Sequence, residues 1–204
     1  TLLIESGSAS QTLNGLPAEE FPRPPLSDGA VKNWAIPGEK LAKAIRRTLF
    51  ASSTDETRPI LMGVLCHFND GDVGMVATDT YRLSIYNVVQ PEDPEAVIES
   101  YLIPSYALAQ LAKILPKKPD DTLSVWVESW VGKDGNGQIR FSIRDVSLTI
   151  RVQDGLFPNW WKILHSEPTR TLTVDRPDFI EALNQVKAVA KDDANRVQFA
   201  LLGP

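Results

Sequence analysis

The stretch "MVATDTYRLSIY", residues 75–86, decides how the rest of the chain is interpreted. It begins as an apolar strand, continues through a short polar and charged run at residues 77–82, and resumes as a strand at Leu83. On these letters alone, the run is a β-turn between two strands and Leu83 is an ordinary core residue. The remaining sequence supplies the context in which a second interpretation arises.

Composition sets the class of protein. The 204 residues, 43% of them hydrophobic and 23% charged, suffice for a sizeable core in one or two domains. No apolar run approaches the ~18 residues that a membrane span needs, no signal peptide is recognised, and a single cysteine excludes an intramolecular disulfide. We therefore expect a cytoplasmic protein without a membrane partner. The net charge of -5 argues against a uniformly basic nucleic-acid protein but leaves room for one basic face.

Hydrophobic periodicity predicts an α+β protein. Helices are predicted at residues 39–52 and 104–116, the second between two prolines. Strands are predicted within residues 1–13 and at 58–67, 73–78, 82–89, 122–131, 138–145 and 147–153. After one or two short strands in residues 1–13 and a proline-rich loop or linker at 16–29, the expected order is helix, three strands, helix, three strands.

An internal repeat appears when the chain is shifted by 138 residues. The aligned pairs are Ile36 with Val174, Leu41 with Phe179, Ala44 with Ala182, Ile45 with Leu183, Asp55 with Asp193, and Arg58 with Arg196. Two amphipathic helices can produce part of this match by chance. The repeat nevertheless predicts the end of one unit, a complete second unit and the start of a third, so we expect a fragment of a longer protein.

Three motifs in series resemble one family. "RPILMGVL" (58–65), "VATDTYRLS" (76–84) and "VQDGLFPNWWKIL" (152–164) have the order and spacing of the middle domain of the bacterial replicative sliding clamp, the beta subunit of DNA polymerase III. The resemblance implies the DNA clamp fold, with antiparallel sheets and two helices per domain on one face. It further implies the end of a first clamp domain and linker at 1–28, a complete middle domain at 29–155, an interdomain loop at 156–170, and the start of a third domain at 171–204.

The same resemblance implies a function. A head-to-tail homodimer ring would encircle duplex DNA and tether the polymerase as a processivity factor, performing no catalysis and needing no cofactor. An apolar pocket would accept short peptides from DNA polymerase III alpha, clamp-loader subunits and other clamp-binding proteins. Its residues here would be Leu61, Thr78, Thr80, Tyr81, Arg82, Leu83, Pro158, Lys162 and Ile163. Small threonines leave room for a peptide backbone, while leucine, proline and isoleucine form apolar walls.

Basic residues on the predicted helices suit a DNA channel, because phosphate contacts carry no sequence information and allow sliding. The residues assigned to the DNA-facing side are Lys40, Lys43, Arg46, Arg47, Lys113, Lys117, Lys118, Lys187 and Lys191. The alternative is that each of them only solvates the outer face of an amphipathic helix.

Four departures from the family pattern leave the peptide preference open. Thr80 stands where glycine is usual, and Lys162 replaces a common arginine, exchanging a planar fork for a point charge. "NWW" at 159–161 replaces "DY(R/K)", and His165 stands where proline is frequent. Trp160 and Trp161 either pack the loop onto the sheet or contact a partner.

Chemical alternatives are weaker. His67, Asp70 and Asp72 could suggest a metal site, yet a hairpin with a polar tip explains the same letters. The run from Asp134 lacks the glycine and glutamate positions of a calcium loop, and Cys66 lies in a strand-like run that suits a buried thiol. Neither a nucleophile elbow nor a phosphate loop is present. The remaining rivals are a hydrolase using His67 and a stand-alone peptide-binding or regulatory β-rich module without a DNA role.

Overall fold

The computed structural model describes residues 1–20, 31–88, 99–116, 123–132, 135–164, 171–190 and 197–200, and this part has the expected α+β architecture. The strands are β1 (Leu2–Ser6), β2 (Ala9–Leu13), β3 (Lys32–Pro37), β4 (Gly63–Asn69), β5 (Asp72–Thr78), β6 (Leu83–Tyr86), β7 (Tyr101–Pro104), β8 (Ser124–Val131), β9 (Gly137–Ile143) and β10 (Val146–Arg151). The α-helices are α1 (Gly38–Thr48), α2 (Ser105–Ile114) and α3 (Arg176–Ala190). Short 3₁₀ helices occupy Ala18–Glu20, Leu49–Ala51, Pro59–Met62 and Trp160–Ile163.

Two four-stranded antiparallel sheets form the centre of the molecule, in the orders β6-β5-β4-β7 and β10-β9-β8-β3. Each half of this region runs strand, helix, three strands. The strand before each helix joins the sheet of the other half, because β3 pairs with β8 and β7 pairs with β4. Neither sheet is therefore complete without both halves of the chain.

The strands β3 and β7 are absent from the sequence prediction. Each is short, ends in a proline, and leads directly into a helix. Pro37 (φ -57°, ψ 127°) and Pro104 (φ -53°, ψ 132°) are extended rather than helical. Both strands lie at the edge of their sheets, where a proline without an amide hydrogen is tolerated.

The strand predicted at 58–67 was also wrong at its start. Residues Pro59–Met62 form a 3₁₀ helix, and β4 begins only at Gly63. Pro59 stands at the first helical position, where its fixed φ favours a helical turn and its missing amide hydrogen costs nothing. The consequence is that Leu61 is carried by a turn beside the sheet rather than by a strand within it.

One hydrophobic core joins the two helices to both sheets. α1 and α2 contact each other, and α1 buries Leu41, Ala44, Ile45 and Thr48 while α2 buries Ala107, Leu108 and Leu111. These side chains share the core with strand residues such as Met75 of one sheet and Phe141 of the other. The Thr48 hydroxyl donates a hydrogen bond to the Ala44 carbonyl (2.8 Å), so this buried polar group is satisfied.

The chain divides into two compact units, Thr1–Trp161 and Lys162–Pro204. In the second unit, the rings of Phe179 and Phe199 lie with centroids 5.7 Å apart. α1 begins at Gly38 and α3 at Arg176, a separation of 138 residues that agrees with the repeat. The four domain ranges expected from the family remain a prediction. Within the described ranges, no helix combines the length and the apolar character that crossing a membrane requires.

Candidate functional site

Residues 78–83, called here the 78–83 turn, are closed by their own side chains. The Asp79 carboxylate accepts hydrogen bonds from the backbone amides of Tyr81 (3.0 Å) and Arg82 (2.9 Å) and from Arg82 Nε (3.0 Å). The Thr78 hydroxyl donates to the Arg82 carbonyl (2.7 Å) and accepts from the Thr80 amide (3.1 Å). These bonds fix the turn locally, because aspartate and threonine side chains substitute for missing backbone partners.

The Asp79 carboxylate accepts three of the hydrogen bonds that close the turn, so its charge state matters. Its partial burial disfavours the charged carboxylate, but the hydrogen bonds from Arg82 and Tyr81 outweigh that effect and hold its pKa below the usual 3.8. Asp79 is therefore ionised at neutral pH and accepts all three bonds at once.

Thr80 has an unusual backbone conformation, with φ at +79°. This left-handed region suits glycine and is rare for a β-branched residue. Glycine is usual at this position in the family that the sequence resembles, and the observed φ gives a physical reason for that preference. The Thr80 hydroxyl accepts a hydrogen bond from Arg58 Nη1 (3.2 Å).

The 78–83 turn presents different side chains to solvent and to the protein. Tyr81 is 92% exposed and Arg82 is also exposed, whereas Leu83 is half-buried at the start of β6. Leu61, on the 3₁₀ helix, is only 6% exposed. Thr78 is buried as well, so Leu61 and Thr78 offer little accessible surface, whereas Tyr81 and Arg82 are open to solvent.

Further contacts fix the turn to the end of α1. The Arg82 guanidinium lies 5.6 Å from the centre of the Phe50 ring, and the Ser84 hydroxyl donates to the Arg47 carbonyl (2.6 Å). The turn is thus attached to the helix that carries four of the nine predicted DNA-facing cations.

Residues 152–158, called here the 152–158 loop, approach the 3₁₀ helix of Leu61. The Gln153 amide donates to the Leu102 carbonyl (2.9 Å), and its side-chain Nε2 donates to the Pro59 carbonyl (3.5 Å). Gly155 (φ +137°) lies so close to Ile60 that a Cβ added to this glycine would collide with Ile60 Cδ1. The structure therefore brings this loop, which ends in the half-buried Pro158, beside the segment of Leu61.

The last two predicted pocket residues belong to the second compact unit. Lys162 is exposed, and the side chain of Ile163 lies outside the described part. Their place in the pocket stays a prediction, as does any role of His165, which is not among the described residues. Trp160 is 2% exposed and lies edge-to-face with Trp161 at 5.5 Å between ring centroids, which favours packing over partner contact for Trp160.

The predicted DNA-facing residues on α1 do not share one environment. Arg46 and Arg47 are exposed, and Lys43 is half-buried. Lys40 is exposed but engaged, since its Nζ donates to the Gly71 carbonyl (2.8 Å) and lies 3.5 Å from Asp72 Oδ1.

Lys113 of α2 is exposed and donates to Gln110 (3.1 Å), and Lys187 of α3 is exposed. Lys117, Lys118 and Lys191 lie outside the described residues. Their orientation toward DNA stays a prediction.

The residues considered for metal binding have separate partners. His67 Nδ1 lies 3.1 Å from the Glu99 carbonyl, Asp70 accepts a bond from the Ala35 amide (3.4 Å), and Asp72 accepts one from Asn87 (2.7 Å). In the part of the chain that is described, no three histidine, cysteine or acidic side chains are grouped to hold a metal ion. Burial raises the pKa of the Cys66 thiol far above its usual range, which fits an unreactive core residue.

Comparison with known proteins gives the family. The protein family described as "DNA polymerase III beta subunit, central domain" matches residues 35–159, more than half of the chain. The chain belongs to the DNA polymerase III beta-subunit family. The resemblance seen in the three sequence motifs is thereby confirmed.

Individual clamps show the extent of the similarity. The beta sliding clamp of Halalkalibacterium halodurans is 31% identical over 95% of this chain and 49% of its own length. The sliding clamp structure from Bacillus subtilis is 30% identical with a TM-score of 0.68, covering 92% of this chain and 47% of that one. A sliding clamp from Bartonella birtlesii bound to griselimycin is 30% identical with a TM-score of 0.71, covering 94% and 50%. The chain spans about half the length of the curated relatives it matches.

Two residues that contact the 78–83 turn or its partner were not identified from the sequence. Asp55 and Arg58 appeared only as aligned pairs of the repeat, yet in the structure they form an ion pair (Oδ2 to Nε, 2.9 Å) that leads to Thr80. The signal available in the sequence was an unexpected threonine at position 80 together with several arginines that could donate to its hydroxyl. Its partner could not be chosen without the fold, because Arg58 and Thr80 are 22 residues apart.

Proposed function

We propose that this chain is part of a sliding clamp that, in the whole protein, encircles duplex DNA and tethers the replicative polymerase. The observation that carries the proposal is the 78–83 turn, which exposes Tyr81 and Arg82 and is joined through Arg58 to the segment of Leu61 in a member of the clamp family. Such a protein performs no chemistry. Its work is to hold a partner in place, and the turn is built as a rigid surface for that purpose.

The peptide surface is formed by Tyr81, Arg82 and Leu83, with Pro158 on the neighbouring loop. Because Asp79 and Thr78 already satisfy the polar groups of the turn, a peptide meets a preformed apolar surface and spends little free energy on ordering it. Apolar side chains of a short linear motif, of the Gln-Leu-x-Leu-Phe type, fit such a surface. The proposed owners of this motif are DNA polymerase III alpha, clamp-loader subunits and other clamp-binding proteins.

The peptide surface is tested by calorimetric titration of this pentapeptide into the chain and two variants. Leu83→Ala removes an apolar wall of the site, and we expect about 10-fold weaker binding, the size common for a central interface residue. Leu148→Ala, which truncates a half-buried leucine of the other sheet, is the matched control and should change binding less than about 2-fold. Equal effects of the two substitutions would refute the proposed surface.

The DNA surface is formed by the exposed cations of α1 and α2, among them Arg46, Arg47 and Lys113. Contacts of these residues to phosphates would be independent of sequence and compatible with sliding. The acidic total charge does not oppose this, because an arrangement with one basic face needs only a local excess of cations.

Topology separates the clamp from a stand-alone peptide-binding module. We expect the longer protein containing this chain to assemble as a homodimer ring, remain on closed circular DNA after loading, and leave when the circle is cut. Release from intact circles at the same rate as from linear DNA would favour the stand-alone module. The peptide titration is independent of this outcome, so the two parts of the proposal can fail separately.

A further inference from the structure

The left-handed threonine of the 78–83 turn has a side-chain partner that a glycine could not have. Thr80 has φ +79°, a conformation in which a β-branched residue is strained. Its hydroxyl accepts a hydrogen bond from Arg58 Nη1 at 3.2 Å. The substitution that strains the backbone therefore also creates an anchoring point at the tip of the turn.

Arg58 is itself fixed on the opposite side of the guanidinium. Its Nε donates to Asp55 Oδ2 (2.9 Å), while Asp55 Oδ1 accepts from the amide (3.0 Å) and the hydroxyl (2.7 Å) of Thr57. The hydrogen bonds from Thr57 first, and that from Arg58 next, hold the pKa of Asp55 below 3.8. Asp55, Arg58 and Thr80 are called here the Arg58 bridge.

The Arg58 bridge is continuous with the backbone of Leu61. The Asp55 amide donates to the Ser53 hydroxyl (3.0 Å), and the Ser53 amide donates to the Leu61 carbonyl (2.8 Å). The Arg58 carbonyl also accepts from the Leu61 amide (3.0 Å). A continuous set of hydrogen bonds thus connects the backbone of Leu61 with the Thr80 hydroxyl in the turn.

We propose that Arg58 is a positioning residue that, through Thr80, sets the spacing between the 78–83 turn and Leu61 and thereby the peptides that fit. This rests on the proposed peptide-binding function. The bridge adds one attachment, at the residue-80 side chain, that a glycine at this position could not provide. Since its ion pair is solvent-exposed, it adds little to global stability, and its effect appears in binding.

A double-mutant cycle tests the connection between Arg58 and Thr80. The chain, Arg58→Ala, Thr80→Gly and the double variant are titrated with the Gln-Leu-x-Leu-Phe-type pentapeptide. Arg58→Ala should weaken binding about 5-fold when Thr80 is present and less than about 2-fold when glycine replaces it, because contacting residues couple and separated ones do not. Thermal melting of all four proteins checks that each is folded.

Two conservative variants separate positioning from simple charge. Thr80→Ser keeps the hydroxyl and should keep the full dependence on Arg58. Arg58→Lys keeps the charge, but a lysine cannot reproduce the fork that contacts Asp55 and Thr80 together, so it should bind as weakly as Arg58→Ala.

The outcomes distinguish the inference from the function on which it rests. An Arg58→Ala effect of the same size in both residue-80 backgrounds would overturn the inference and leave peptide binding intact. Full activity of Arg58→Lys would overturn it too, since charge alone would then suffice. If the unsubstituted chain binds no pentapeptide at millimolar concentration, both the proposed surface and the inference are overturned.

Discussion

Replacing Gly155 by alanine should separate the 152–158 loop from the segment of Leu61. Gly155 has φ +137°, and an added Cβ would collide with Ile60 Cδ1. The backbone conformation alone costs an L-residue about 1–3 kcal/mol. Forcing one carbon into occupied space adds about 1–3 kcal/mol. We therefore expect Gly155→Ala to lower the free energy of unfolding by about 2–6 kcal/mol.

Two further variants separate the backbone contribution to this loss of unfolding free energy from the steric contribution. Gly135 also has a positive φ (+77°, in the left-handed region), but no atom lies within 4 Å of an added Cβ, so Gly135→Ala should cost only about 1–2 kcal/mol. Ile60→Val removes only the Cδ1 methyl. In that background, Gly155→Ala should lose most of its steric cost and retain the backbone cost. Equilibrium urea unfolding followed by tryptophan fluorescence measures each difference.

Two results would refute this reasoning. If Gly155→Ala costs no more than Gly135→Ala, the loop does not pack against Ile60. If Gly155→Ala costs the same with isoleucine and with valine at position 60, the collision is not with Cδ1. In the pentapeptide titration, Gly155→Ala should also weaken binding, because the loop leads to Pro158, whereas Gly135→Ala should not.

Three further predictions concern the turn, the core edge and the basic face. Asp79→Ala should lower the free energy of unfolding by about 1–2 kcal/mol, because two backbone amides lose their acceptor; Asp79→Asn, which keeps an acceptor oxygen, should cost less in urea unfolding. Burial is the main cause that raises the pKa of Tyr101 from 10.0 to about 12, so the native state favours the neutral phenol. The stability that this preference contributes is complete below pH 10 and is lost between about pH 10 and 12. Alkaline unfolding of the chain, compared with Tyr101→Phe, measures this loss. In the longer protein, Arg46→Glu with Arg47→Glu should shorten retention on circular DNA and reduce its salt dependence, whereas Lys32→Glu, on β3, should not.

Each of these has a contradicting result. Equal losses for Asp79→Ala and Asp79→Asn would show that the carboxylate oxygens do not hold the turn through the backbone amides. An alkaline unfolding profile unchanged by Tyr101→Phe would mean that Tyr101 is not preferentially neutral in the native state. Equal retention of the α1 variant and the Lys32 variant would remove α1 from the DNA surface.

The low native pKa of Asp79 also makes the stability that the turn contributes sensitive to acid. Asp79 has a native pKa below 3.8, so the stability it contributes is present above the unfolded value and is lost as pH falls through the lowered native one. Asp79→Asn should therefore flatten the acid limb of the stability profile. An unchanged acid limb would contradict the arrangement of bonds around Asp79.

Local patterns predicted the elements whose determinants are local. α1 and α2 have apolar residues at helical spacing, and the hairpin of β4 and β5 has an Asp-Gly turn. β3 and β7 have no such signal. β3 pairs with β8, nearly a hundred residues away, so its strand conformation depends on a partner that only the fold supplies.

The candidate site shows the same division. The motif at residues 76–84 identified the turn, and the threonine in place of glycine identified its unusual position. The contact of Arg58 with Thr80 and the closeness of Gly155 to Ile60 depend on how the 3₁₀ helix at Pro59–Met62 lies beside the sheet. The sequence predicts a strand for that segment, and a strand would point the side chains of Arg58 and Ile60 in other directions.

Binding of a clamp-binding peptide by the 78–83 turn is tested most directly by an amide chemical-shift titration of this chain. At millimolar pentapeptide, a binding free energy of only about -4 kcal/mol is enough to be seen. We expect shifts concentrated at residues 78–83, Leu61 and the residues around Pro158, with the amide signals of β9 and β10 unchanged. Shifts elsewhere that leave the turn unmoved, or no shifts at all, would contradict it.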